Sequence, residues 1–170
     1  MKKLFKVALV AVCMLSIGNF AKAQTKIGYI NFQALISQMP ESKTIKTQLD
    51  IYQKTFIDQL TVMNNELQTK GADFTKNNAA MNDAVRSAKQ AELQDIQKRM
   101  QDYQNDAQQK YDAKANELSK PLIDKARAAV VEVAKEKGYN YVLDSSQTTL
   151  IVSPDGDDML ASVKLKLGLK

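Results

Sequence analysis

From residue 41 to residue 76 the chain has no proline and a single glycine, Gly71, and a stripe of apolar positions runs through Ile45, Leu49, Tyr52, Phe56, Leu60, Met63 and Leu67. Their spacings of 4, 3, 4, 4, 3 and 4 residues form an 11-residue repeat, a period of about 3.67 that predicts a nearly straight helix seam. A stripe this narrow predicts pairing with one other helix. The same spacings recur at Ile96, Met100, Tyr103, Ala107, Tyr111, Lys114 and Leu118, where the lysine is expected to snorkel out of the seam. Between the two runs, Asn77 and Asn78 suit the end of one helix, and Asn82 or Asp83 the cap of the next. The pattern predicts an antiparallel helical hairpin over residues 41–120 with its tip near 77–82, each arm about 54 Å long at a rise of 1.5 Å per residue.

Strand-like segments lie at the two ends: Lys26–Phe32 near the start, then Tyr139–Asp144 and Thr148–Val152 near the close. Gly138 suits the end of the long helix, and Ser145-Ser146-Gln147 can turn a hairpin between the last two strands. Asn31 can cap a short helix through Ser37, Pro40 suits the first turn of the first arm, and Asp157 or Asp158 can cap a final helix ending near Gly168. Pro121, inside a helical run, is the expected kink and hinge where arm meets body. The fold class is therefore α+β and mostly α, a long coiled-coil arm on a small β-body built from residues 24–40 and 121–170. Three short strands bury little on their own, which predicts that the body oligomerises.

Residues 1–23 alter the reading of charge. Lys2, Lys3 and Lys6 form a basic start, Leu4 to Ile17 an apolar stretch too short to span a membrane, and Ala21-Lys22-Ala23 an A-x-A cleavage site. This is the expected signature of a secretory signal peptide cut near Ala23-Gln24, which places the mature chain outside the cytoplasm. Four of the 24 Lys and Arg residues and none of the 19 Asp and Glu residues lie in it, so the formal charge of +5 falls to +1 and gives no reason to expect nucleic acid as a partner. Cys13 is the only cysteine and lies in the same segment; Val12 before it does not suit a lipid-anchor motif, and no disulfide is expected.

Candidate chemistry is sparse. The chain has no histidine, which removes Ser-His-Asp and Cys-His catalysis and histidine-ligated metals, so no enzyme, metal or cofactor is expected. The carboxylates of Ser153–Asp158, SPDGDD, lack the spacing of a calcium loop and read as a turn followed by a cap; Asp144 reads as a turn former. Acid-before-base pairs four residues apart, Asp50 with Lys54, Glu66 with Lys70, Asp95 with Arg99 and Asp106 with Lys110, are expected on solvated helix faces. Near the tip, Lys70, Lys76, Arg86 and Lys89 outnumber Asp73 and Asp83, which reads first as a solvated tip and second as a basic patch for transient contact with an anionic membrane or lipopolysaccharide.

With these elements placed, the chain resembles the Skp, or OmpH-like, family of periplasmic chaperones. KIGYINFQALISQMPE near the start, KPLIDKARAAVVEVAKEKGYNYVLDSS, and LIVSPDGDDMLASVKLKLGL at the end are similar to that family's recognisable segments, in order and around a hairpin of this length. The resemblance implies a homotrimer whose strands build a small β-barrel, with three hairpins around a cavity that holds unfolded outer-membrane β-barrel proteins without ATP. It implies a trimer core of Ile27, Tyr29, Ile30, Tyr141, Val142, Leu143, Leu150 and Val152. Family members are often strongly basic, whereas residues 41–120 here balance 12 basic against 12 acidic side chains, so client holding is expected to depend on shape and apolar contact, and no lipopolysaccharide site transfers. The competing expectation is a structural coiled-coil spacer of the cell envelope, which needs the same seams and no cavity.

Overall fold

The computed structural model describes residues 25–169; the expected signal peptide lies outside the described residues. Strand β1 (Ile27–Ile30) leads through helix α1 (Phe32–Gln38) into α2 (Pro40–Asn77), and after the tip α3 (Asp83–Lys137) returns to β2 (Tyr141–Asp144), a loop and a closing helix α4 (Leu160–Lys166). The caps are those the residues suit: Asn31 Oδ1 accepts from Ala34 N at 2.8 Å, Pro40 opens α2, and Asn82 Oδ1 accepts from Val85 N at 2.9 Å. At the far end of α3, Gly138 takes φ 71° and Tyr139 N donates to Ala134 O at 2.9 Å, closing the helix with a left-handed residue that glycine adopts without strain.

β1 and β2 pair in parallel, Ile27 with Tyr141 through Ile30 with Asp144. A parallel pair needs a crossover. Here the crossover is the entire helical hairpin, so the two ends of the arm are tied at their base by four residue pairs. Asp144 strengthens the tie: its Oδ1 accepts from Phe32 N at 3.2 Å, linking the end of β2 to the start of α1, and from Ser146 N and Oγ at 2.9 and 2.7 Å, forming the expected turn.

Under this sheet lies the core. Ile30, Leu35 and Met39 from the start of the chain meet Leu122, Ala126, Ala129, Val130 and Val133 of α3 and Met159 and Val163 from the end. Buried positions on α3 thus become dense from Leu122 onward: Ile96 and Ala107 alone are buried in the arm, and Leu122, Ala126, Ala129, Val130, Val133 and Ala134 in the body. The helix itself runs unbroken through Pro121, which is exposed. Gly28 is buried here and packed so closely that a Cβ would lie 2.9 Å from Met159 Sδ and 3.1 Å from Tyr139 Cδ1. Tyr139 cannot easily retreat: its hydroxyl donates toward Asp157 Oδ1 and Gly156 O at 3.1 and 3.2 Å, and Lys26 Nζ stands 4.2 Å from its ring centre.

The expected third strand, Thr148–Val152, is not formed. Residues 145–147 do turn, but the chain then leaves β2, and the free side of β1 is met instead by Asp158, which bridges Tyr29, with Met159 N donating to Tyr29 O at 2.9 Å. Left outside the sheet, Ile151 and Val152 remain 94% and 84% exposed. The final helix starts later than the aspartates suggest, at Leu160, although Asp158 Oδ1 still accepts from its amide at 2.8 Å.

In the arm, the seam forms as spaced. Met63, Ile96 and Ala107 are buried and Ile45, Leu49, Tyr52, Phe56, Leu60, Leu67, Met100, Tyr103, Tyr111 and Leu118 half-buried between α2 and α3. Phe56 packs edge-on against Tyr52 and Tyr103, with ring centres 4.8 and 6.2 Å apart. Lys114 leaves the seam to reach Glu117 at 2.9 Å. Three of the four expected ion pairs form, Glu66–Lys70, Asp95–Arg99 and Asp106–Lys110. Asp50–Lys54 does not, because each has a second partner at the same helical spacing: Lys46 takes Asp50 and Lys54 takes Asp58, both at 2.7 Å.

Two outcomes follow from this packing. Gly28→Ala should lower stability by about 1–3 kcal/mol through overpacking against Met159 and Tyr139, read as a lower urea midpoint; an unchanged midpoint would contradict the tight contact. Asp144→Ala should cost about 1–3 kcal/mol by stranding the Phe32 amide. Burial raises the Asp144 pKa, but the hydrogen bonds from Ser146 and Phe32 outweigh it and hold the group below 3.8. A depressed folded pKa means that its contribution is complete above the ordinary value and fades as pH falls through the folded one. The gap between Asp144→Ala and the natural chain, measured by urea unfolding, should therefore narrow in strong acid.

Candidate functional site

Strand alternation divides the sheet into two faces. Gly28 and Ile30 turn inward, and Ile30 is only 2% exposed. Val142 follows them and packs against the core, so Ile30 and Val142, expected at an intersubunit core, instead belong to the protomer's own interior; the two-residue period of a strand puts them there. Ile27, Tyr29, Tyr141 and Leu143 turn the other way. Ile27 is 48% exposed, Tyr141 64% and Leu143 42%.

This outward face continues onto the loop after β2. Leu150, half-buried, and Val152 border a cleft of about 390 Å³ against Ile27, Tyr29 and Leu143, and Ile151 stands beside them in solvent. Ile27, Tyr29 and Leu143 of the sheet and Leu150 and Val152 of the loop thus form one apolar surface on a very small body, with Tyr141 and Ile151 exposed close to them in sequence. Contiguous apolar surfaces of this kind mark sites of protein association. Ile151 escaped the sequence reading; its signal was the strand-like apolar run TTLIV, which pairs with neither strand of the protomer's sheet.

The arm offers a different surface. Besides the seam, α2 exposes Ile51, Ile57 and Val62 at 63%, 53% and 60%, while the arm portion of α3 exposes one large apolar residue of that kind, Val85. These α2 residues were passed over because they fall outside the 11-residue repeat; that departure from the stripe was itself the available signal. A shallow cleft of about 320 Å³ runs beside the seam, bordered by Phe56, Ile57, Leu60 and Tyr111.

The expected basic tip is largely neutralised. Lys70 is paired with Glu92 and Glu66, Lys89 with Glu92 at 3.0 Å, and Arg86 with Asp83 at 2.8 Å while also donating to Asn78 and Met81. Glu92 lies nine residues, about two and a half helix turns, beyond Asp83 on α3, and the hairpin brings it across to Lys70. Lys76 alone among the four has no carboxylate within ion-pair distance among the described residues. Among the described residues no group of three potential ligands could hold a metal ion, and no helix is long and apolar enough to cross a membrane.

Comparison with known proteins bears on this arrangement. The chaperone protein Skp of Yersinia enterocolitica is 27% identical over 145 residues, covering 82% of this chain and 86% of its own. That of Photorhabdus luminescens is 25% identical over 167 residues, covering 96% and 97%. A solved structure from Caulobacter crescentus CB15, described as OmpH-like, superposes with a TM-score of 0.68 over 86% of each chain at 12% identity, a likeness of fold. The family described as outer membrane protein (OmpH-like) matches residues 26–167, from just before β1 to the end of α4, and the chain belongs to it.

Proposed function

We propose that the protein is a periplasmic, ATP-independent holdase that cages unfolded outer-membrane β-barrel proteins and keeps them from aggregating before membrane insertion. The observation that carries this reading is the joining of a hairpin arm, about 57 Å long over α2, to a small body whose outward sheet face is apolar and uncovered. The relatives named as chaperones over nearly the whole chain support it.

In this reading three copies meet through Ile27, Tyr29, Tyr141 and Leu143, with Leu150, Ile151 and Val152, and form a closed β-body. Parallel arms then stand around a common space, with Pro121 near each root as the hinge. A client strand edge held there cannot pair with another chain, which is the step that starts aggregation. Clients are gripped weakly, through exposed side chains such as Ile51, Ile57 and Val62, and the balanced charge of the arms makes apolar contact and enclosure the main terms. The basic residues left near the tip, Lys76 foremost, offer at most a transient contact to an anionic surface.

Light scattering of residues 24–170, alone and after addition of a urea-unfolded outer-membrane β-barrel protein diluted into buffer, tests the reading. The expected result is a trimer that takes up one client and keeps it in solution. A stable monomer or dimer that leaves the client to aggregate would overturn it in favour of a structural spacer of the cell envelope.

A further inference from the structure

We infer that the end of the arm beyond Gly71, residues 72–91, opens and closes as a unit of its own, held shut by an ionic clasp between α2 and α3. The clasp is a chain of alternating charges. Glu92 of α3 lies between Lys70 of α2 and Lys89. Lys70 also reaches Glu66 at 3.7 Å, and Glu66 comes within 4.0 Å of Arg99, which holds Asp95 at 2.9 Å. Two of these contacts, Lys70–Glu92 and Glu66–Arg99, cross from one helix to the other. Among the described residues the only other ion pair between α2 and α3 is Glu41–Lys125, at the root of the arm.

What lies beyond the clasp is weakly packed. Between Met63 and Ile96 no residue of the hairpin is buried; Leu67, Phe74, Met81 and Leu93 are half-buried and Val85 is 43% exposed. Segments with few buried apolar contacts open at lower free energy than the rest of a structure. Gly71 marks the start of the unit. Nothing lies within 4 Å of the place its Cβ would occupy, so no close contact requires a glycine there, and in a helix interior glycine favours the open chain relative to alanine. The Lys70 ammonium, helped by Lys89, holds the Glu92 carboxyl down at about 2, so the clasp stays charged wherever the protein is folded near neutrality.

Opening would uncover Phe74 and Met81 together at the mouth of the space between arms. Their use there in first contact with an unfolded client rests on the holdase reading, but the opening itself does not.

Hydrogen–deuterium exchange of the client-free protein tests it. Amides of 72–91 should exchange faster than those of 45–63 and 96–118. Glu92→Gln should raise tip exchange roughly threefold, in line with the loss of an exposed ion-pair network, and so should 1 M NaCl, where the screening length falls to about 3 Å. Both should leave 45–63 and 122–134 unchanged, and Gly71→Ala should slow the tip. A tip that exchanges no faster than the rest of the arm, or a Glu92→Gln effect spread evenly along the arm, would overturn the inference, whatever the fate of the client.

Discussion

Everything in this molecule hangs on the parallel pairing of Ile27–Ile30 with Tyr141–Asp144. Parallel strands cannot be joined by a tight turn, and the connection chosen here is the whole helical hairpin. Four residue pairs therefore decide where α2 begins, where α3 ends and that both ends of the chain share one core. Asp144 ties this register further by holding the first amide of α1, 112 residues away in sequence. The pairing also decides which residues face outward, because a two-residue period gives Ile30 and Gly28 to the core and leaves Ile27, Tyr29, Tyr141 and Leu143 outside.

A two-stranded sheet is a poor foundation by itself. Such pairs are marginal in water unless one face is packed, and this one packs its inner face on α3 while its outer face stays bare. The arm adds length without much burial: its seam is one stripe wide, with Met63, Ile96 and Ala107 the only buried residues among its spaced positions. Hairpin and body thus depend on one another. The α3 helix, continuous from Asp83 to Lys137, carries the connection between them, and a bare apolar sheet face gives the body reason to associate.

Much of this was legible in the residues because it rests on local periodicity. The 11-residue repeat located both arms, and Asn77, Asn82, Asn31 and Gly138 marked helix ends with chemistry that needs no tertiary partner. Events decided between distant segments were less legible. The run TTLIV has strand chemistry, but after the turn at residues 145–147 the chain leaves the edge of β2 unpaired and next meets the sheet at Asp158, which bridges Tyr29 of β1. The tip reads as basic along the chain, but folding carries Glu92 across to Lys70. Asp50 and Lys54 each had two partners at helical spacing, and spacing alone does not choose between them. The family resemblance located the outward sheet face but mixed Ile30 and Val142 into it, a distinction that the strand register makes at once.

The central claim is that the outward sheet face is covered by other copies of the chain, so that folding and assembly are coupled. Thermal unfolding of residues 24–170, followed by circular dichroism over about a hundredfold range of protein concentration, tests it most directly, since association with the folded form alone raises the midpoint by mass action. The account predicts a midpoint that climbs with concentration. A midpoint that stays constant over the whole range would contradict it.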